Sequence, residues 1–185
     1  MSRMFNVNQT ELIEKVSQKL KENKQVSAPE WAPFAKTGTH KQRVPDNQEW
    51  WFVRAAAVLR KVAVLGPVGV SKLRTAYGGK KRRGHQPAEF RKGSGNIIRT
   101  IFQQLEKSQL IRQSKPKEFG VHKGRIITGQ GQSLLDNCAN DLLKSQPKKS
   151  KQMHQEPSGE THASVPAVEQ KKEVQIKKEQ VPAQV

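Results

Sequence analysis

Four consecutive cations, Lys80 to Arg83, lie between Gly78-Gly79 and Gly84-His85. Such a run neutralises phosphates and releases their counterions, so its affinity for a polyanion falls as salt rises. The flanking glycines carry no Cβ, which lets backbone N–H groups approach a phosphate closely. Ser94 adds a hydroxyl at the predicted start of a helix, where free N–H groups and the helix dipole favour anions. These residue types predict a phosphate-binding surface.

The run belongs to a wider block of positive charge. Between Arg54 and Arg99 the sequence has twelve cations and a single acid, Glu89, for a net charge of +11. The whole chain of 185 residues carries 34 Lys and Arg against 16 Asp and Glu, a net charge of +18. This much self-repulsion destabilises a compact protein unless a polyanion relieves it. We therefore predict a nucleic-acid partner.

Several other function classes are disfavoured. Cys138 is the only cysteine, so the sequence offers no internal disulfide and no cysteine-based zinc site, and the five histidines lack metal-ligand spacing. A metal-dependent nuclease needs clustered carboxylates, but Glu89 is isolated. Gly129-Gln130-Gly131 is not followed by the Gly-Lys-Ser/Thr of a phosphate loop. We expect neither an enzyme nor a cofactor or metal site, and we expect no signal peptide and no membrane span.

The hydrophobic pattern predicts the elements that position these residues. Asn8 is the candidate N-cap of a first helix with a stripe at Leu12, Ile13, Val16 and Leu20. Cys138 lies within the stripe of the last helix, which favours a small core hydrophobe over a reactive thiol. The predicted elements are helices over 8–23, from Pro29 to before Gly38, over 47–65, over 70–77, from Gly93-Ser94 onward and over 130–143, with a hairpin formed by Ile111-Arg112 and 124–128.

The third predicted helix is the most informative one. Its core-facing residues are predicted to be Trp51, Ala55, Val58, Leu59, Val62 and Leu65. A neighbouring strip contains Trp50, Arg54, Ala57 and Lys61. The two cations of this strip either cover the polar side of a central helix or contact phosphate. The aromatic beside them and the surrounding positive charge favour phosphate contact.

The order of elements predicts a mainly α, winged-helix-like bundle with a small β-hairpin. A short helix, a basic loop of about fifteen residues, a longer helix and a hairpin follow one another, as in a winged helix-turn-helix. A DNA-binding regulator of this class, which usually dimerises, is the main alternative. It would place Asn96, Arg99 and Gln103 in the major groove. These residues belong to the outer face of the longer helix, which also contains Thr100 and Lys107.

The composition changes after Leu143. The segment from Lys144 to Val185 has neither Leu nor an aromatic residue, and its net charge is only +3. A mixture of Gln, Lys, Glu, Ser and Pro cannot bury enough apolar surface to offset the entropy of ordering. We therefore predict one domain over 1–143 and a low-complexity, disordered extension over 144–185.

The motifs themselves resemble one known family. They are Pro29-Glu30-Trp31, Lys36-Thr37-Gly38, Asp46, Trp50 to Ala56, Gly66 to Val70, Tyr77-Gly78-Gly79, Gly93-Ser94-Gly95 and Leu105-Glu106. In this order, over residues 5 to 143, they are similar to ribosomal protein nineteen of the small subunit in its archaeal and eukaryotic form. The tryptophan pair and the Lys-Thr-Gly spelling resemble the archaeal branch.

The resemblance implies a helical protein around a winged-helix-like core in the head of the small ribosomal subunit. It also implies contact with small-subunit rRNA and neighbouring ribosomal proteins, a part in subunit maturation and a cytoplasmic, ribosomal location. We expect no homo-oligomer and no small-molecule substrate. The predicted rRNA contacts are Arg54, Arg60, Lys61, Arg74, Tyr77, Gly78, Gly79, Lys80, Lys81, Arg82, Arg83, Arg91, Lys92, Ser94 and Arg99. Family members generally end soon after the last helix, so the family implies nothing for the extension.

Overall fold

Five α-helices and two β-hairpins follow one another along the part of the chain that this computed structural model describes, residues 2–114 and 124–145. Both hairpins are antiparallel. No helix among these described residues has the length and apolar character needed to cross a lipid bilayer. The elements are 3₁₀ turns at Arg3–Asn6 and Ala32–Phe34, helices α1 (Gln9–Glu22), α2 (Trp50–Leu65), α3 (Val70–Ala76), α4 (Gly95–Lys107) and α5 (Gly129–Ser145), and strands β1 (Gly79–Arg83), β2 (Gln86–Arg91), β3 (Ile111–Gln113) and β4 (Arg125–Ile127).

Helix α1 begins where its sequence predicts. The Asn8 side chain accepts a hydrogen bond from the Thr10 backbone N–H at 3.1 Å. This bond satisfies one of the N–H groups that a helix start leaves free. Leu12, Val16 and Leu20 are buried at a spacing of four residues. The predicted helix, its cap and its apolar stripe are confirmed.

Helix α2 is central and packs against α1, α4, α5 and β4. Trp51 is fully buried, and its indole Nε1–H donates to Oε1 of Gln104 on α4 at 3.0 Å. The Gln104 amide in turn donates to the Ser27 carbonyl at 2.7 Å. The Trp31 and Trp50 rings meet Trp51 edge-on at centroid distances of 5.6 and 5.5 Å, a favourable aromatic geometry. Trp51 therefore joins α2, α4 and the segment after α1.

The hairpin β3–β4 is the wing of the fold. Arg125 at the start of β4 exchanges two backbone hydrogen bonds with Val68, at 3.0 and 2.9 Å. Its guanidinium pairs with Glu106 on α4 at 2.8 Å. Gly124 has a φ of 118°, and a Cβ there would lie 2.5 Å from the Val68 backbone, so only glycine fits. The predicted mainly α, winged-helix-like architecture and this hairpin are confirmed.

The basic segment after α3 is a second β-hairpin, so the predicted loop of about fifteen residues is wrong. Gly79 pairs with Arg91 and Lys81 pairs with Glu89. Gly84, with a φ of 69°, opens the two-residue connection, which is the glycine position of a type II′ turn. No residue of β1 or β2 is buried. Apolar alternation predicts a strand only where one face is buried, so that signal is missing here.

Two predictions about helices are also wrong. The helix expected from Pro29 is only the 3₁₀ turn Ala32–Phe34, because Pro33 has no N–H with which to continue α-helical bonding. Leu65, predicted to face the core, is 44% exposed. It is the last residue of α2, and the chain turns away at Gly66 before another element covers that face.

Helix α5 is slightly longer than predicted and continues past the predicted boundary at residue 143. It buries Leu135, Cys138 and Ala139. Cys138 is fully buried and forms no disulfide, and burial raises the pKa of its thiol, so its predicted place in the core is confirmed. The predicted disordered extension lies outside the described residues from residue 146 onward. The division into 1–143 and 144–185 stays a prediction.

The N-terminus is attached to α5. Oδ1 of Asp136 accepts hydrogen bonds from the Ser2 hydroxyl at 2.7 Å and from the Arg3 N–H at 2.9 Å. The Arg3 guanidinium donates to Oδ1 of Asn140 at 2.7 Å. Burial acts to raise the pKa of Asp136, but the hydrogen bonds outweigh it and hold that pKa below its usual value. We call Ser2, Arg3, Asp136 and Asn140 the N-terminal clasp.

Candidate nucleic-acid interface

One face of the hairpin β1–β2 is organised around its only acid. Lys81 lies opposite Glu89 in the register. Oε2 of Glu89 accepts from Arg91 at 2.8 Å and from Arg83 at 3.1 Å. These side chains are 32–47% exposed, so the ion pairs are of the weak surface kind. Glu89 neutralises part of the charge that the run of cations brings to this hairpin.

A groove of about 780 Å³ lies between the hairpin, the start of α4 and the segment around Gly38. Every charged side chain that lines it is cationic. Its walls also include Thr39, Phe90, Gly93 and Ser94. A cleft lined by charge of one sign concentrates the field and attracts counter-charged ligands. The lining cations are Lys36, Arg74, Lys81, Arg91 and Lys92, and we call this feature the cationic groove.

The start of α4 is fixed at the wall of the cationic groove. Ser94 is the N-cap, and its Oγ accepts the Ile97 N–H at 3.5 Å. The Ser94 N–H donates to the Thr37 carbonyl at 3.0 Å. The Gly93 N–H donates to the Arg74 carbonyl at 2.9 Å, and Nε of Arg74 donates back to the Gly93 carbonyl at 3.3 Å. The helix start and the Arg74 guanidinium therefore contribute positive charge to one site.

Gly78 and Gly79 are needed for packing within the protein. A Cβ at Gly78 would lie 2.6 Å from the Phe90 ring and 2.7 Å from the Arg91 carbonyl oxygen. A Cβ at Gly79 would lie 2.9 Å from the His40 ring. Such distances force neighbouring atoms to move. The structure therefore gives an intramolecular reason for these glycines, and their predicted approach to phosphate stays a prediction.

Tyr77 organises the cations of α2. Arg54 and Lys61 lie over its ring, 4.2 and 4.6 Å from the centroid, within range for cation–π attraction. Burial lowers the pKa of Arg54 and raises the pKa of Tyr77. The Tyr77 hydroxyl oxygen is buried and has no hydrogen-bond partner among the described residues. Trp50, predicted to share a strip with these cations, lines one cavity with Arg54, Ala57 and Tyr77, and most of its ring is buried against Trp51.

The structure separates the predicted rRNA contacts into groups. The groove brings together Arg74, Lys81, Arg91, Lys92 and Ser94. Lys80, Arg82 and Arg83 lie elsewhere on the hairpin, with Gly78 and Gly79 packed at its base. Arg54 and Lys61 stack on Tyr77, Arg60 on α2 has a buried Nε without a partner among the described residues, and Arg99 is exposed on α4.

Lys36 and Phe90 are groove residues that sequence reasoning did not include among the predicted rRNA contacts. Lys36 stands more than forty residues before Lys81 in the sequence, and only the fold brings it to the same site. Its place in the Lys-Thr-Gly motif was the one available signal. Phe90 carried the signal of an aromatic residue among cations, which is typical of nucleic-acid-binding surfaces. The outer face of α4 is as predicted, with Asn96, Arg99, Gln103 and Lys107 exposed and Thr100 half-buried.

Comparison with protein families covers almost all of the described chain. The model of the family described as "Ribosomal protein S19e" matches residues 3–145. The chain belongs to the ribosomal protein S19e family. The resemblance that the sequence motifs carried is thereby confirmed, and the matched residues include the cationic groove and the hairpins and helices of the described part of the chain.

Individual relatives of this S19e family member agree with that assignment. "Small ribosomal subunit protein eS19" of Haloarcula marismortui is 44% identical over 147 residues, 77% of this chain and 92% of the relative. The protein of the same description from Aeropyrum pernix is 46% identical over 134 residues, 71% of this chain and 84% of the relative. "Small ribosomal subunit protein eS19G" of Ascaris suum is 36% identical over 137 residues, 74% and 89% of the two chains. The higher archaeal identities confirm the archaeal type.

Proposed function

We propose that this S19e family member is a structural constituent of the small ribosomal subunit and binds small-subunit rRNA through the cationic groove. One observation carries the rRNA part: five cations converge on a groove whose charged lining residues are all cationic. Structured RNA is recognised mainly through its shape, phosphates and 2′-hydroxyls. Family membership supports the ribosomal location.

The groove supplies contacts of two kinds. Lys36, Lys81 and Lys92 form no ion pair with any described residue, so they are available as mobile cations for phosphates. Arg74 is positioned by its bond to the Gly93 carbonyl, beside the N-cap Ser94. The flexible lysine side chains can follow the path of the RNA backbone, whereas the fixed start of α4 determines which phosphate lies there. Through these contacts the protein stabilises rRNA structure in the head of the subunit and supports subunit maturation in the cytoplasm.

The test is a titration of an archaeal small-subunit rRNA with the full chain at several salt concentrations. We expect the triple variant K36A/K81A/K92A to bind about 10-fold to 100-fold more weakly in moderate salt. The slope of log K against log salt should become shallower by about 2–3, because each lost phosphate contact removes about 0.7–0.9. Filter binding or fluorescence anisotropy measures both quantities.

The matched control is K15A/K24A/K144A, which removes the same charge on and next to α1 and on α5. Its slope of log K against log salt should change by less than half as much as that of the groove variant. Equal slopes for the two variants would contradict a groove-specific contact and would leave only a general effect of net charge.

A DNA-binding regulator is tested with the same proteins. The exposed polar face of α4 is compatible with that function. A regulator prefers duplex DNA carrying its site to rRNA and separates from small subunits in a high-salt gradient. We expect the reverse: co-sedimentation with the small subunit and preference for the rRNA.

A further inference from the structure

The second face of the hairpin β1–β2 differs from the face around Glu89. Lys80 lies directly opposite Phe90 in the register, so their side chains share this face. Lys80 and Arg82 are exposed and form no ion pair within the described part of the chain. On this face Lys80 is therefore not neutralised by the protein, and Phe90 opposite it also lines the cationic groove.

The Phe90 ring is both exposed and held in place. It is 52% exposed, so a large part of its surface faces solvent. Its Cζ and Cε2 atoms lie against Gly78, where a Cβ would come within 2.6 and 3.0 Å of them. Glycine at this diagonal position leaves the space that the ring edge occupies. A single exposed apolar side chain is common on protein surfaces, so its exposure decides nothing without the cations beside it.

We propose that Phe90 is a stacking platform for an unpaired RNA base whose flanking phosphates lie on Lys80, Arg82 and the cationic groove. This inference rests on the proposed rRNA binding and adds that the groove takes a loop, bulge or single strand rather than an uninterrupted duplex. Aromatic rings next to cations bind single-stranded nucleic acid because any base has a face to stack and each base brings a phosphate. In a duplex the base faces are already stacked on one another.

The charge around the ring identifies the partner as RNA rather than as a protein surface. An apolar protein patch over Phe90 would bury Lys80 beside it, and that cation would need an acidic partner. A nucleotide supplies the apolar face and the negative charge in one unit. The paired cation and ring therefore match one ligand class, unpaired nucleotides.

Two probes of equal length and equal phosphate charge test the platform: decauridylate, whose bases stack weakly on one another, and the same decamer with abasic riboses. We expect Phe90→Ala to weaken binding of decauridylate to the full chain by about 5-fold to 140-fold. The affinity of Phe90→Ala for the abasic decamer should equal that of the wild type. The salt dependence of binding should also be unchanged for both decamers. Phe90→Trp should retain or increase the affinity for decauridylate.

Two further variants separate stacking from charge and from folding. The double variant with Lys80→Ala and Arg82→Ala should bind both decamers more weakly and by the same factor. The salt dependence of binding should become shallower for both. Phe90→Leu keeps apolar bulk against Gly78 but has no aromatic face. It should therefore lose as much affinity for decauridylate as Phe90→Ala does. An equal loss would show that stacking is responsible, and not a loosening of the hairpin by the smaller alanine side chain.

The possible failures point to different causes. Unchanged decauridylate binding by Phe90→Leu and Phe90→Ala, with groove-dependent rRNA binding intact, would overturn the platform only. A loss that is equal for both decamers would also overturn it. If the Phe90 variants no longer co-sediment with the small subunit but still bind the oligonucleotides with full affinity, the ring contacts a protein partner instead. A wild-type chain that binds neither rRNA nor decamer would overturn the proposed function as well.

Discussion

At the scale of single residues, Tyr77 contributes to packing within the protein next to the candidate interface. Arg54 and Lys61 place their charges over its ring, so part of the positive block is held by an aromatic partner inside the protein. The cost is a buried hydroxyl without a partner among the described residues. A buried polar group that makes no hydrogen bond lowers stability by about 1–3 kcal/mol.

We predict that Tyr77→Phe raises the melting temperature by about 2–12 °C, because it removes the unpartnered hydroxyl and keeps the ring under both cations. Burial raises the pKa of Tyr77, so the wild type should also lose stability as pH rises above about 10 towards the folded-state value. The variant should lack that part of the alkaline loss. Calorimetry across pH 7 to 11 measures both effects.

Tyr77→Leu is the control, because it removes the ring and should lower the melting temperature. A lower melting temperature for Tyr77→Phe would show instead that the hydroxyl is hydrogen-bonded in solution.

At the scale of elements, the hairpin β1–β2 has unequal faces. Glu89 holds Arg83 and Arg91, whereas Lys80 and Phe90 stand on the opposite face. The single acid therefore limits how much of the run of cations is available to a polyanion. No residue of either strand is buried, so the hairpin can change its charge pattern with little effect on the core.

We predict that Glu89→Gln strengthens rRNA binding by about threefold to tenfold at low salt, because it frees two arginines and removes a charge that repels phosphates. The salt slope should become steeper by about one. Surface ion pairs contribute about 0–1 kcal/mol, so the melting temperature should change little. Glu22→Gln, at the end of α1, makes the same charge change away from the hairpin and should leave the affinity nearly unchanged. Weaker binding by Glu89→Gln would show that Glu89 positions the arginines productively.

At the scale of the molecule, the core closes within the described residues. Helix α5 packs against α1, α2 and the first 3₁₀ turn, and the N-terminal clasp joins the two ends of the described chain. The buried stripe of α5 is complete at Ala139, before the helix ends at Ser145. The core cluster draws on the N-terminal turn and on all five helices.

We predict that a chain ending at Ser145 melts within about 2 °C of the full chain, since the segment from 146 onward contains no Leu and no aromatic residue with which to extend the core. Differential scanning calorimetry on both proteins is the measurement. A chain ending at Ser133 is the control: it lacks Leu135, Cys138 and Ala139 and should lose its cooperative transition. A large drop for the first truncation would show that the extension packs on the domain.

The parts of the fold that were predictable are those encoded in local patterns of the sequence. The cap at Asn8 and the stripe of α1 are local patterns, and the structure confirms them. The hairpin β1–β2 has no buried face, so only its Gly84 turn marked it. Lys36 joins Lys81 in the groove through tertiary folding, which spacing in the sequence cannot show. The cationic character of the site was therefore predictable, whereas its shape depended on which strands pair.

The N-terminal clasp has a consequence for the order of events during synthesis. Arg3 and Asp136 are 133 residues apart, and at about 5–20 residues per second some 7–27 s pass between making the one and the other. During that interval Met4, which is buried in the finished fold within the turn that packs on α5, has no α5 to cover it. The clasp therefore closes only on a chain that has been translated through α5, and a nascent chain that stalls earlier leaves its N-terminal turn uncovered.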